Sequence, residues 1–201
     1  MATPASSPST AASSPGWANP AVIGLMGFGV TTMVTGLANT GKLGLTFNPI
    51  LGLALVFGGA AQLIAGFVAL NKGEIFAGSA FVAYGAFWMS LFAMLTILPT
   101  MFSTPAGIND ILAFWVMWTF ITVSFAINAP KHGLGVTATF ALLTVAFLLL
   151  DIQQWMKSGN VTNTTYNVVM GWEIFLTGLV AWLTATAVLT NANYGRRLIP
   201  L

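Results

Sequence analysis

Residues 17–32 read WANPAVIGLMGFGVTT, and this stretch decides what kind of fold the chain can adopt. Asn19-Pro20 is typical of a helix start, because Asn caps the free amides and Pro at the first helical position loses no hydrogen bond. The residues after it are almost wholly apolar, but they include three glycines: Gly24, Gly27 and Gly29. Glycine inside a helix costs about 0.5–1 kcal/mol relative to alanine. These glycines, and the position of Phe28 between two of them, therefore need an explanation.

The composition of the whole chain excludes a water-soluble globule. Of its 201 residues, 57% are hydrophobic and only 5% are charged, whereas a soluble domain carries about 25% charged residues. Six Lys and Arg and four Asp and Glu side chains cannot coat a protein of this size. The sequence therefore predicts an integral membrane protein. It contains no cysteine and no basic cluster, which excludes disulfides, iron–sulfur clusters, thiol nucleophiles and nucleic-acid binding.

The hydropathy pattern divides the chain into a tail and one domain. Residues 1–16 are rich in Ala, Ser, Pro and Thr, which predicts a disordered N-terminal tail, and residues 17–201 form a transmembrane domain. Each apolar segment of that domain holds about 18–25 residues, enough to cross a hydrocarbon core of about 30 Å as a helix. Membrane strands would be shorter and would alternate. We therefore predict an all-α protein with six spans, at residues 20–38, 49–70, 75–98, 110–129, 134–156 and 166–190.

The lysines and arginines between the spans predict the orientation in the membrane. With six crossings both termini lie on one side, and the cytoplasmic side of a membrane protein carries the excess of Lys and Arg. We expect a multi-pass protein of the plasma membrane with both termini in the cytoplasm. The predicted cytoplasmic side holds Lys72, Lys131, Arg196 and Arg197, and the other side holds Lys42 and Lys157.

Glycines recur every seven residues in the second segment, at Gly52, Gly59 and Gly66, and Gln62 falls on the same helical face. Small residues allow helix backbones to approach closely, so one interpretation is a tight seam between two helices. The other interpretation is that the Gln62 amide faces a conducting path. The sequence leaves both open.

Other segments carry a thin, uncharged polar stripe. A single threonine usually bonds the backbone of its own helix, but together these side chains predict a weakly polar path through a helix bundle. Besides Gln62, the predicted path contains Thr31, Trp118, Thr122 and Thr144.

Ionisable groups inside a membrane are functional candidates, and Glu173 is the one acid clearly inside a predicted span. Glu173 is either an acid with a structural role, interfacial or paired, or an acid with a role in function. His132 is the sole histidine and falls in a loop, so no metal or haem site is predicted. There is no paired acid dyad and no Ser–His or Ser–Lys arrangement at helix depth. We therefore expect neither enzymatic activity nor a cofactor.

Four blocks of the sequence resemble the acetate uptake transporter family, the SatP/YaaH-type acetate/succinate transporters. The similarity extends over about residues 17–200, and Val22 stands where the family usually has a second proline. The blocks are NPAVIGLMGFG at 19–29, FGGAAQLIAGF at 57–67, NKGEIFAGSAFVAYGAFW at 71–88 and YGRRLIP at 194–200.

The resemblance implies a ring-shaped homohexamer of six-helix subunits, each with its own pore for acetate or related short carboxylates such as succinate. Family members have been described both as proton symporters and as anion channels. The resemblance also implies an apolar constriction made by Phe28, Tyr84 and Leu143. The glycines of the opening stretch would then bring the first helix close to a neighbour and leave Phe28 room to stand in the lumen.

The physical chemistry is compatible with this implied substrate. Hydroxyls, the Gln62 amide and helix N-termini can hold a carboxylate without a full countercharge, and a fixed arginine would slow its exit. Two alternatives stay open: a channel for ammonia or another small solute, and a membrane scaffold or receptor that transports nothing.

Overall fold

The computed structural model describes residues 18–46, 48–102 and 106–200. In these ranges all regular secondary structure is helical. The predicted tail, residues 1–16, lies outside the described residues, and so does residue 201.

The six predicted spans are confirmed as helices, with ends that differ from the predicted ones by a few residues. Within the described ranges, six helices are long and apolar enough to cross a membrane: α1 (Ala21–Asn39), α2 (Asn48–Asn71), α3 (Ile75–Thr96), α4 (Ile108–Asn128, continued by a 3-10 turn to His132), α5 (Leu134–Ser158) and α6 (Thr164–Tyr194). A short helix, Leu98–Met101, lies between α3 and α4.

Local sequence explains where several helices begin and end. The Asn19 side chain accepts a hydrogen bond from the backbone amide of Ala21 at 2.9 Å, as the Asn-Pro pair predicts. Asn163 caps α6 in the same way by accepting from the amide of Tyr166 at 3.0 Å. Gly195 ends α6 in the left-handed conformation with φ 60°, which glycine adopts without strain.

The glycines of the opening stretch bring α1 close to its neighbours. A methyl group built on Gly29 would lie 2.7 Å from the carbonyl oxygen of Gly178 in α6, and one built on Gly27 would overlap the carbonyl oxygen of Phe57 in α2. Such close approach of two helices requires a residue as small as glycine on at least one of them. Because Gly27 and Gly29 put α1 against two helices, Phe28 between them points to a third side, into the interior of the bundle, where it is 4% exposed.

The predicted glycine seam of α2 is only partly present. Methyl groups on Gly59 and Gly66 would lie 2.7 Å from the Met89 side chain and 2.6 Å from the Val82 amide of α3, but nothing lies within 4 Å of Gly52. The physical reason is a π-helical turn at Val56–Ala61, whose wider winding rotates the second half of the helix relative to the first. Positions seven residues apart across this turn therefore do not share a face.

Candidate transport path

Two cavities run into the bundle from opposite ends. The first is lined near its mouth by Ala21 at the start of α1 and by His132 before α5, on the side where α1 begins and α6 ends. The second is lined near its mouth by Asn39 at the end of α1 and by Lys157 at the end of α5. Their volumes are about 230 and 270 Å³, several times the share of about 30 Å³ that one water takes in the liquid.

The cavities meet at two side chains. Among the described residues, only Phe28 and Leu143 line both cavities. Both side chains are buried, and they belong to the same hydrophobic cluster as Tyr84. The barrier between the two cavities is therefore an apolar neck built from α1 and α5.

Aromatic rings surround this neck. The rings of Phe28 and Tyr84 pack edge to face with centroids 5.6 Å apart, and Tyr84 lines the first cavity beside Leu143. On the other side Phe87, one helical turn after Tyr84 in α3, lines the second cavity and packs on Phe147 at 5.5 Å. The three residues of the predicted constriction are thus brought together at the junction of the cavities.

The hydroxyl of Tyr84 is already engaged. It lies 2.9 Å from Oγ1 of Thr122, which donates its own proton to the carbonyl oxygen of Trp118 at 2.7 Å. Since Thr122 has one proton, the hydroxyl of Tyr84 must donate to Thr122. Tyr84 therefore presents its ring to the neck and keeps only oxygen lone pairs free.

Gln62 is the amide nearest to the middle of the path. It is 1% exposed and lines the first cavity together with Tyr84, and its side-chain oxygen is buried without a hydrogen-bond partner. A buried polar atom without a partner costs about 1–3 kcal/mol. A half-turn of the amide would present its NH2 group instead, so Gln62 can serve as either acceptor or donor toward a solute in the cavity.

Threonine hydroxyls contribute no free donors to either cavity wall. Thr32 and Thr35 in the second cavity donate to carbonyl oxygens of their own helix at 2.7 and 2.8 Å. Thr139 and Thr184 in the first cavity do the same at 2.8 Å each. The hydroxyls offer lone pairs only, so NH groups must supply the donors that a carboxylate needs.

Four predicted path residues stand behind the walls. In the described part of the chain, neither cavity lining includes Thr31, Trp118, Thr122 or Thr144. Trp118 packs on Phe87 with ring centroids 4.9 Å apart, and Thr122 holds the Tyr84 hydroxyl. Thr31 faces the π-helical turn, and Thr144 bonds the carbonyl oxygen of Phe140 at 2.8 Å.

The acids within the helices also lie away from the cavities. Neither Glu173 nor Asp151 is among the described lining residues. Glu173 accepts a hydrogen bond from Thr177 at 3.1 Å, and Asp151 accepts one from Thr119 at 2.7 Å. Each carboxyl group keeps one buried oxygen without a partner. Within the described ranges no three His, Cys, Asp or Glu residues come together as metal ligands would.

Sequence reasoning missed the polar mouth of the second cavity. Asn39, Gln153, Gln154 and Lys157 line it. The signal was present as the polar run Gln153-Gln154 near the end of the fifth apolar segment, which resembles an ordinary interfacial helix end.

Comparison with known proteins gives consistent matches over most of the chain. The family model described as "GPR1/FUN34/yaaH family" matches residues 3–196. The "Succinate-acetate/proton symporter SatP" of Escherichia coli (strain K12) is 34% identical over 186 residues, which are 92% of this chain and 95% of that protein. The "Ammonia transport outward protein 2" of Saccharomyces cerevisiae is 33% identical over 177 residues, 85% of this chain and 61% of that protein.

A solved structure is similar as well. It is described as "Structure of the bacterial acetate channel SatP" and aligns with a TM-score of 0.84 at 31% identity. The alignment covers 92% of this chain and 99% of that one.

Proposed function

This chain belongs to the GPR1/FUN34/yaaH family, and from that premise we propose that it transports acetate and related short carboxylates, succinate among them, across a membrane. The family membership confirms the resemblance found in the sequence. One relative is named a proton symporter and the similar structure is called a channel, so the proposal covers both modes of transport.

The observation that carries the proposal is the meeting of two cavities, open at opposite ends of the bundle, on Phe28 and Leu143. With two cavities that reach into the bundle from opposite ends, a small solute has only one short constriction to pass in order to cross. A scaffold or receptor has no need of such an arrangement.

The chemistry of the neck supports a small carboxylate as the solute. An apolar constriction hinders hydrated ions by excluding water. Acetate can rest its methyl group on the rings of Phe28 and Tyr84 while its oxygens stay with the Gln62 amide on one side. In this proposal Phe28, Tyr84 and Leu143 form the constriction and Gln62 borders the path. Thr31, Trp118, Thr122 and Thr144 support the wall from behind.

We further propose a homohexamer in the plasma membrane, with one path through each subunit and both termini in the cytoplasm. Transport, rather than catalysis, is its activity.

The native chain has no cysteine, so single cysteines introduced at Ser7 and Ser158 report the orientation. A membrane-impermeant thiol reagent applied to intact cells is expected to label the Ser158→Cys variant and not the Ser7→Cys variant. The reverse pattern would overturn the orientation.

Uptake of radiolabelled acetate into proteoliposomes tests the function. Saturable acetate flux supports the proposal, and flux that follows an imposed pH gradient favours proton symport over a channel. Ammonia flux without acetate flux would favour the alternative function of an ammonia channel, which agrees with the name of the yeast relative. Absence of both fluxes from well-assembled protein would favour a scaffold.

A further inference from the structure

Lys157 lies at the mouth of the second cavity, in the last turn of α5. Among the described residues that line either cavity, it is the only one with a lysine, arginine, aspartate or glutamate side chain. The mouth of the first cavity has His132 in the corresponding place, and the described lining of this cavity contains no lysine, arginine, aspartate or glutamate. A single fixed charge thus distinguishes one end of the path from the other.

Hydrogen bonds hold this lysine over the opening. Its ammonium group donates to Oε1 of Gln153 at 3.2 Å, and Nε2 of Gln153 donates to Oδ1 of Asn167 in α6 at 2.8 Å. The chain of three side chains links α5 to α6. Lys157 is therefore positioned at the mouth although its side chain is exposed to solvent.

The charge of Lys157 is not neutralised by a carboxylate. Within the described ranges the one ion pair joins Lys72 and Glu74 at 3.8 Å, on the opposite side of the bundle. Asp110, at the start of α4, is bound to the backbone amide of Gly107 at 2.8 Å. The ammonium group of Lys157 thus remains available to an anion from solution.

Two amides complete the mouth. Asn39 and Gln154 each use one NH of the side-chain amide on a backbone carbonyl, at 2.9 and 3.1 Å. The second NH of each group is not needed for these bonds, and both residues line the same cavity as Lys157.

We propose that Lys157, assisted by Asn39 and Gln154, forms a weak capture site for carboxylates at the mouth of the second cavity. This inference rests on the proposed function. In water the attraction between unit charges about 4 Å apart changes occupancy by about fivefold. Such a site raises the local concentration of the anion without holding it, as a fast path requires.

The test uses a chain without native cysteine and two reagents of opposite charge. The Lys157→Cys variant is labelled to completion in detergent with a methanethiosulfonate that carries either a trimethylammonium or a sulfonate group, and is then reconstituted. At acetate concentrations well below saturation, we expect uptake to fall by up to about fivefold on substitution, to recover with the cationic reagent and to fall further with the anionic one.

The matched control is Lys42→Cys. Lys42 lies on the same side of the bundle, in the loop after α1, but lines neither cavity. Its variant should show equal uptake with either reagent. A difference between the reagents at position 42 as large as that at position 157 would overturn the capture site in favour of general surface charge.

Salt dependence provides a readout that a structural role for Lys157 would not change. The screening length falls from about 30 Å at 0.01 M to about 10 Å at 0.1 M salt, so the advantage of the cationic label over the anionic label should shrink as salt rises. Equal uptake with both labels at low salt would overturn the inference while leaving acetate transport in place. Absence of acetate uptake by the unsubstituted protein would instead overturn the proposed function.

Discussion

The two cavities of this protein end on the same neck but begin in different surroundings. The first cavity is lined by Gln62, whose buried amide oxygen has no hydrogen-bond partner. It is also lined by Phe76 and His132, whose rings stack with centroids 3.9 Å apart. The second cavity is mostly apolar around Phe87 and Phe147, where the buried indole NH of Trp88 is without a partner, and its side-chain amides and its charged group gather at the mouth. Side-chain amides thus lie close to the neck on one side, at Gln62, and far from it on the other, at Asn39, Gln153 and Gln154.

This difference separates two tasks along one path. At the neck, selection depends on shape and on the loss of water, because the two residues shared by both cavities, Phe28 and Leu143, are apolar. At the mouth of the second cavity, selection depends on the charge of Lys157. Changes to the neck should therefore alter which solute passes, and changes to the mouths should alter how quickly a solute arrives.

The largest effect, a loss of stability, is expected from a side chain that forces apart the helices carrying the neck. A side chain on Gly36 would overlap the amide of Phe175 and lie 2.6 Å from the carbonyl oxygen of Gly171, so α1 and α6 would have to separate. We expect Gly36→Val to lower the free energy of unfolding by about 3 kcal/mol or more and to leave little folded protein in detergent.

Gly52→Val is the matched control for this effect, since nothing in the subunit lies within 4 Å of that position. Thermal unfolding in detergent compares the two variants. Equal stability of both would contradict the close packing of α1 on α6.

A smaller effect is expected at Gln62, the polar group close to the neck. Gln62→Leu removes the one buried amide among the described lining residues of the first cavity and replaces it with an apolar side chain of similar size. If the amide bonds the carboxylate as it enters the neck, the loss of a hydrogen bond to a charged group should lower acetate flux by about tenfold to a hundredfold. Asn71→Leu, at the exposed end of the same helix, should leave the flux unchanged. Unchanged flux in well-assembled Gln62→Leu would assign this residue to packing alone.

Phe28→Ala should change selectivity severalfold rather than abolish transport. Shortening this side chain joins the two cavities, so flux of bulkier acids such as succinate or benzoate should rise relative to acetate. Uptake of the three acids is compared, with Phe67→Ala as the control because its ring is 57% exposed on α2. If Phe28 only packs, its loss leaves a cavity costing about 3–5 kcal/mol and the variant should assemble poorly. Stable protein with unchanged selectivity would remove Phe28 from the neck.

Glu173→Gln should have the smallest effect. Glu173 is outside both cavity linings, and the amide oxygen of Gln can still accept the hydrogen bond from Thr177. We expect uptake to respond to an imposed pH gradient as it does in the unsubstituted protein. A variant that still transports acetate but has lost this response would make Glu173 the proton carrier.

The six helices could be predicted because lipid imposes length and hydropathy on each span separately. The π-helical turn at Val56–Ala61 could not, since it is a local backbone choice that glycines permit but do not require. It is also the reason why the seven-residue spacing of Gly52, Gly59 and Gly66 failed as a guide to one shared face.

The site was predictable to a different degree at its centre and at its edge. Phe28 could be singled out because glycines flank it, and the family resemblance supplied Tyr84 and Leu143. The mouth of the second cavity escaped because Asn39 and Gln154 are far apart in sequence and look like ordinary helix ends. Only the packing of α1, α5 and α6 around the cavity brings them to one opening.

The central claim is that one path runs through the junction of the two cavities, and a thiol at Leu143 tests it most directly. The Leu143→Cys variant in this cysteine-free chain is reconstituted and treated with a small neutral thiol reagent, and the extent of labelling is followed by mass spectrometry. We predict that acetate uptake falls in proportion to the labelled fraction and that reduction of the adduct restores it. Complete labelling with undiminished uptake would show that acetate crosses by another route.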